Sequence, residues 1–95
     1  MPSLDADLFL TSRQHKLLDF IEKFRKANEN SPTQREMAEG LGNQALRPVQ
    51  EILDVLQRKK IITRKPGSSR GIHIRYPNWR TLPIRDRQLR SKAAV

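Results

Sequence analysis

Apolar residues recur at helical spacing in three stretches of the chain's first 60 residues, and the period then shortens to two. Thr11 can cap the first stretch, and Gln14 three positions later completes a capping box. Leu17, Phe20, Ile21 and Phe24 then form one apolar face, with Lys16, Asp19, Lys23 and Lys26 elsewhere on the helix. Asn28 to Ser31 breaks this pattern and reads as a loop. A second capping box, Thr33 with Glu36, follows Pro32. Met37, Ala38 and Leu41 give it a short apolar face. Gly40 and Gly42 mark its end, Gly42 being suited to a left-handed cap, so this helix is about two turns long. The third helix begins near Leu46 or Arg47 with Pro48 in its first turn, where the missing N–H is harmless. Val49, Ile52, Leu53 and Leu56 form its buried stripe, and Gln50, Glu51, Asp54 and Gln57 face away. Lys59 and Lys60 suit the negative pole of its dipole.

Alternation then takes over. Ile61 to Lys65 reads as a strand, and Pro66-Gly67-Ser68-Ser69 as a turn. Ile72, Ile74 and Tyr76 alternate with His73 and Arg75 as a half-buried strand. From Pro77 periodicity stops, and the chain reads as a linker or disordered tail. Trp79 stands in that tail, free to fold back on the wing or to stack on a partner. The expected architecture is mainly α with a small β-hairpin: a winged helix-turn-helix of three helices plus a two-stranded wing. The boundaries are an N-terminal extension at 1–9, the domain at 10–76, and a basic linker or tail at 77–95.

Charge sharpens this picture. Residues 1–57 carry a net −2, residues 58–76 carry seven basic groups and no acid, and residues 77–95 carry a net +4. Segregated positive charge is the footprint of a polyanion partner, most often nucleic acid. The other reading of such charge is a solvated surface, but scattered lysines would serve solubility without excluding acids.

Composition excludes several classes. A 95-residue chain makes one domain at most and leaves no room for a large enclosed active site. There is no cysteine, hence no disulfide and no thiolate metal site. His15 and His73 lack partners at metal spacing, so no metal is expected; His15 reads as a surface helix residue and His73 as an exposed strand residue or a phosphate contact. Ser68 and Ser69 have no base nearby, so no catalytic residue is expected, and no phosphate-cradling glycine loop points to a cofactor. Met1 to Leu10 does not read as a signal peptide, and no apolar run is long enough for a membrane span.

The second and third helices form a helix-turn-helix, in which the second member enters the major groove of DNA. Here that element is Leu46 to Lys59, and the hairpin beside it is a wing whose cations meet phosphates. Arg47 can donate two bonds to guanine, Gln50 can pair with adenine, and Glu51 can accept from cytosine. Arg47 and Glu51 are also one turn apart, and the alternative is that they pair with each other, worth about 0.3 kcal/mol.

Leu-Thr-Ser-Arg-Gln at 10–14, Pro-Thr-Gln-Arg-Glu-Met-Ala at 32–38 and Gly-Ser-Ser-Arg-Gly-Ile at 67–72 resemble the N-terminal domain of the LexA repressor family. Read from Leu10 to Ile74, the correspondence runs without a gap over 65 of 95 residues. The resemblance implies a winged-helix repressor that binds a palindromic double-stranded DNA operator as a homodimer and serves the bacterial response to DNA damage. It implies a bacterial, cytoplasmic protein, nucleoid-associated when bound, with no membrane and no small-molecule substrate. By position, the family's base-reading region falls on Ala45, Arg47, Pro48, Gln50 and Glu51. Arg47 and Pro48 depart from the family pattern, where a small polar residue and alanine are usual, which implies an operator different from the best-known one. The phosphate-contacting set expected here is Thr33, Gln34, Arg35, Gln44, Arg58, Lys59, Lys65, Ser68, Ser69 and Arg70. Lys60 stands where the family often has glycine, and Asn43 where it has a large apolar residue. The family's self-cleaving half, with its serine nucleophile and lysine base, has no counterpart in the chain; Thr81-Leu82-Pro83-Ile84 resembles the start of its linker only faintly. No enzymatic activity is therefore expected. The alternative function is a winged-helix module for protein–protein or non-specific nucleic-acid binding.

Overall fold

A computed structural model describes residues 8–42, 45–68 and 70–86. Three helices come first: α1 (Ser12–Asn28), α2 (Gln34–Gly40) and α3 (Arg47–Arg58). Two strands follow, β1 (Ile62–Arg64) and β2 (Ile72–Ile74), and then a single 3-10 turn at Trp79–Thr81. This is three helices and a two-stranded antiparallel hairpin, the winged helix-turn-helix arrangement.

Both expected capping boxes form. The Thr11 hydroxyl accepts from the Gln14 N–H while the Gln14 amide oxygen accepts from the Thr11 N–H. Thr33 and Glu36 repeat this reciprocal pairing at α2. Gly42 adopts φ +79°, the left-handed conformation that ends α2 and turns the chain toward α3. The turn brings α2 and α3 into contact. The core is aliphatic at its centre: Leu17, Leu18 and Ile21 of α1 meet Met37 and Ala38 of α2 and Val49, Ile52, Leu53 and Leu56 of α3. Leu18 joins the apolar face that periodicity assigned to α1, and Phe20 packs at the margin, half-buried.

The hairpin register pairs Ile62 with Ile74, Thr63 with His73 and Arg64 with Ile72. Ile62 and Ile72 turn into the core while Thr63 and His73 face out. Both strands are shorter than the alternation suggests. Ile61 is drawn off β1 because its N–H bonds Leu56 O at 3.0 Å, while its own carbonyl accepts from Arg75 at 2.7 Å and Tyr76 at 3.2 Å. Gly71 sits at the neck of the wing, where a Cβ would lie 2.7 Å from that of Lys65, so only glycine lets the strands approach there.

Lys60 occupies a conformation that suits glycine. It is held at φ +64°, a left-handed conformation that costs a side-chain-bearing residue about 1 kcal/mol. Lys60→Gly is expected to stabilise the fold by somewhat less than that, since glycine also loosens the unfolded chain. Thermal unfolding should show a rise of about 4 °C; a fall would mean that the exposed lysine has a partner worth more than the strain.

Residues 77–86, expected as part of a linker or disordered tail, are instead folded onto the domain. Through Asp86 the chain folds back across α1 and pairs with the N-terminal segment. Leu10 N–H bonds Pro83 O at 2.9 Å, Arg85 N–H bonds Leu10 O at 2.7 Å, and Leu10 forms a parallel bridge with Ile84. Asp86 takes the Ser12 N–H at 2.7 Å and also the Ser12 hydroxyl, which holds its carboxyl below the usual range. Trp79 is fully buried and Leu82 nearly so. The indole N–H donates to Glu22 at 3.2 Å, and the Arg80 guanidinium lies 4.3 Å above the ring. Arg80 also bonds Asp19 at 2.7 Å and Glu22 at 3.0 Å, which lowers the pKa of Asp19. His15, expected as a surface residue, instead meets the Trp79 ring edge-on at 5.0 Å. The physical reason that no periodicity announced this strap is that single anchors hold it, not a repeating face. Residues 1–7 and 87–95 lie outside the described residues.

Candidate nucleic-acid interface

The outward face of α3 is a continuous polar stripe. Arg47, Gln50, Glu51, Asp54, Gln57 and Arg58 are all exposed, opposite the buried Val49, Ile52, Leu53 and Leu56. Spacing of three, four and seven residues places them along one side of the helix. Arg47 is the first helical residue, and Ala45 just before it is also exposed. Among the described residues neither Arg47 nor Glu51 has an ion-pair partner, so the two do not neutralise each other. Gln50 is braced from α2: its amide nitrogen donates to Gln34 Oε1 at 3.1 Å. That leaves a second N–H and the carbonyl oxygen of Gln50 available, the pair of groups that adenine recognition requires.

The residues expected on phosphates divide into three groups. Arg35, Arg58, Lys65 and Ser68 are exposed, while Thr33 and Gln34 are half-buried at the start of α2. The Thr33 oxygen serves the cap as an acceptor, which leaves its hydroxyl proton free for a ligand. Gln44 and Ser69 lie outside the described residues, as does Asn43. Lys59 and Arg70 are engaged inside the fold.

Lys59 reaches the N-terminal segment and the start of α1. Its Nζ donates to Phe9 O at 2.7 Å and to Gln14 Oε1 at 2.9 Å, and it lies 4.5 Å from the centre of the Phe9 ring. Burial pushes its pKa below the ordinary lysine value. The side chain thus fastens the end of α3 to the N-terminal segment. Arg70 reaches back from the wing to α2. Its guanidinium forms two parallel bonds with Glu36, at 3.0 and 3.2 Å, and donates to Ser31 O at 2.9 Å. The Thr33 N–H and then Arg70 hold the Glu36 carboxyl below its ordinary range. Arg64, at the base of the wing, bonds Gln57 at 2.6 Å and Asp54 at 2.5 Å on α3. A buried Ser31 hydroxyl donates to Ile72 O at 2.6 Å, adding a third tie between wing and body. Sequence reasoning found the basic residues but not these contacts, because partners 7 to 50 positions apart leave no local signature.

Between α2 and the wing runs a cleft of about 220 Å³, lined by Gln34, Arg64, Ser68, Gly71 and Ile72. It separates the start of the helix-turn-helix from the cationic hairpin. The arrangement offers a helix narrow enough for a DNA major groove, with hydrogen-bonding side chains at its leading end and positive charge to one side.

A helix-turn-helix pair with a two-stranded wing beside its second helix defines the winged helix-turn-helix class. Within it, the chain belongs to the LexA DNA-binding domain family, whose pattern matches residues 8–71. The LexA repressor of Pseudomonas chlororaphis is 40% identical over 81 residues, a match covering 81% of this chain and 40% of that protein. The LexA repressor of Geotalea uraniireducens is 44% identical over 63 residues, covering 66% of this chain and 31% of that protein. The chain thus spans about 40% or less of the length of these curated relatives. Among the described residues no helix is long and apolar enough to cross a membrane.

Proposed function

We propose that the chain is the operator-reading module of a LexA-like transcription repressor that acts in bacterial DNA-damage control, in the cytoplasm. The observation that carries this is the exposed polar face of α3, with Arg47 unpaired among the described residues and Gln50 held ready by Gln34. In the proposed complex α3 lies in the major groove. Ala45, Arg47, Gln50 and Glu51 meet base edges. Thr33, Gln34, Arg35, Gln44, Arg58, Lys65, Ser68 and Ser69 meet the sugar-phosphate backbone. Lys59 is left out of this set because its ammonium is spent within the fold, and Arg70 because its guanidinium is paired with Glu36. The relatives named LexA repressor support the regulatory role, and the same kinship supports a homodimer on a palindrome.

Selection of bound sites from random duplexes tests the proposal. Recovery of one half-site motif, repeated with two-fold symmetry, is the expected outcome. Titration of half-site and full-site duplexes should then show markedly tighter binding to the full site, since two linked contacts reinforce each other. A pool that emerges from selection still random would sink sequence-specific binding, and equal affinity for half and full sites would sink the paired mode.

A further inference from the structure

The face that would meet DNA carries a carboxylate that electrostatics alone would remove. Glu36 lies on α2 within the helix-turn-helix, its side chain about one-third exposed, next to a polyanion in the proposed complex. We infer that Glu36 is a positioning residue for the wing: through Arg70 it fixes the angle at which the hairpin meets the duplex, so that an acid strengthens DNA binding. This inference rests on the proposed function above.

The argument begins with the wing. Two strands of three residues each are too short to hold a fixed direction by their own hydrogen bonds. Their orientation has to come from contacts with the body. Arg64 supplies one at the base, on Asp54 and Gln57 of α3. The buried Ser31 hydroxyl supplies a second on Ile72 O. Arg70 supplies the third and the nearest to the tip, gripping Glu36 with both amino groups and Ser31 O with one of them. A two-bond arginine–carboxylate contact fixes direction as well as distance, which a single bond would not do. Glu36 is itself immobilised, since its Oε1 also accepts the Thr33 N–H at 2.8 Å in the capping box. The chain of contacts thus runs from the start of α2, through Glu36 and Arg70, to the hairpin that carries Lys65 and Ser68.

The opposing possibility is that Glu36 merely masks Arg70, which DNA phosphates would claim once the acid is gone. The two differ in sign. Glu36→Gln keeps an acceptor for the Thr33 N–H, so the cap survives, but it removes the charge that holds Arg70. Equilibrium titrations on the selected duplex, over a range of salt concentrations, would compare the wild type with Glu36→Gln, Lys65→Ala and the double variant. The expected result is that Glu36→Gln binds roughly 3- to 10-fold more weakly although the protein has become more positive. Its salt dependence should also become shallower by about one ion, because the misdirected wing no longer delivers Lys65 to phosphate. Lys65→Ala should then cost less in the Glu36→Gln background than in the wild type. Arg70→Gln leaves the cap untouched and should reproduce the loss, which keeps the inference testable if Glu36→Gln folds poorly. Tighter binding of Glu36→Gln with a steeper salt slope would overturn the inference in favour of masking, and unchanged affinity would overturn it as well. A wild-type chain that bound no duplex would bring down the proposed function and this inference together. Wild-type binding with tighter or unaltered variants would bring down the inference alone.

Discussion

Replacing Trp79 by alanine is expected to destabilise the domain by about 3–5 kcal/mol, more than any other single change considered for this fold. The side chain is completely buried, so its removal takes away the largest apolar surface in the core and leaves a cavity. It also deletes the indole N–H that Glu22 accepts and the ring beneath Arg80. Small domains have roughly 5–15 kcal/mol of stability, so a loss of this size removes about a fifth of it or more. Thermal unfolding followed by circular dichroism should show the midpoint falling by at least about 12 °C. Trp79→Phe keeps most of the apolar contact and should lose much less. A drop of under about 1 kcal/mol for the alanine variant would mean that residues 77–86 do not pack against α1 in solution.

The contrast between Trp79 and the helices shows what kind of structure a sequence displays. Helix ends were legible because capping is local: Thr11 with Gln14 and Thr33 with Glu36 are three residues apart, and both boxes form. The buried stripe of α3 was legible because four apolar residues repeat at one period. Gly42 was legible because a left-handed cap favours one residue type. The strap at 77–86 obeys none of these rules. Its one signal was chemical: a tryptophan in a segment otherwise read as a solvated linker would leave a large apolar surface in water, which is costly. The candidate interface divides in the same way. Exposure of Arg47, Gln50 and Glu51 followed from helical geometry, whereas the internal use of Lys59, Arg64 and Arg70 depends on partners brought close only by folding. A count of basic residues therefore overstates the charge free to meet phosphate, because a guanidinium already paired with a carboxylate adds less to counterion release than a free one.

That distinction sets the expectation for the two ends of the interface. Arg47→Ala should cost about 1–3 kcal/mol on the selected operator, because in the proposed complex two bonds to one guanine are lost at once. On duplexes of unrelated sequence the same variant should lose far less, so the ratio of specific to non-specific affinity falls and one base pair of the site becomes permissive. Lys65→Ala should behave in the opposite way, weakening all duplexes by a similar factor and reducing the salt slope by about one. The reason lies in placement. Arg47 opens α3, exposed and without an ion-pair partner among the described residues, at the end of the helix proposed to enter the groove first. Lys65 follows β1 directly, exposed on the wing and off the recognition helix, where the proposed complex places phosphate. Competition titrations of both variants against the operator and a scrambled duplex, at two salt concentrations, separate the roles. A uniform loss for Arg47→Ala would reassign it to phosphate and move base reading to Gln50 and Glu51. Preference would then rest on adenine and cytosine contacts, and the selected motif should show no fixed guanine opposite the start of α3.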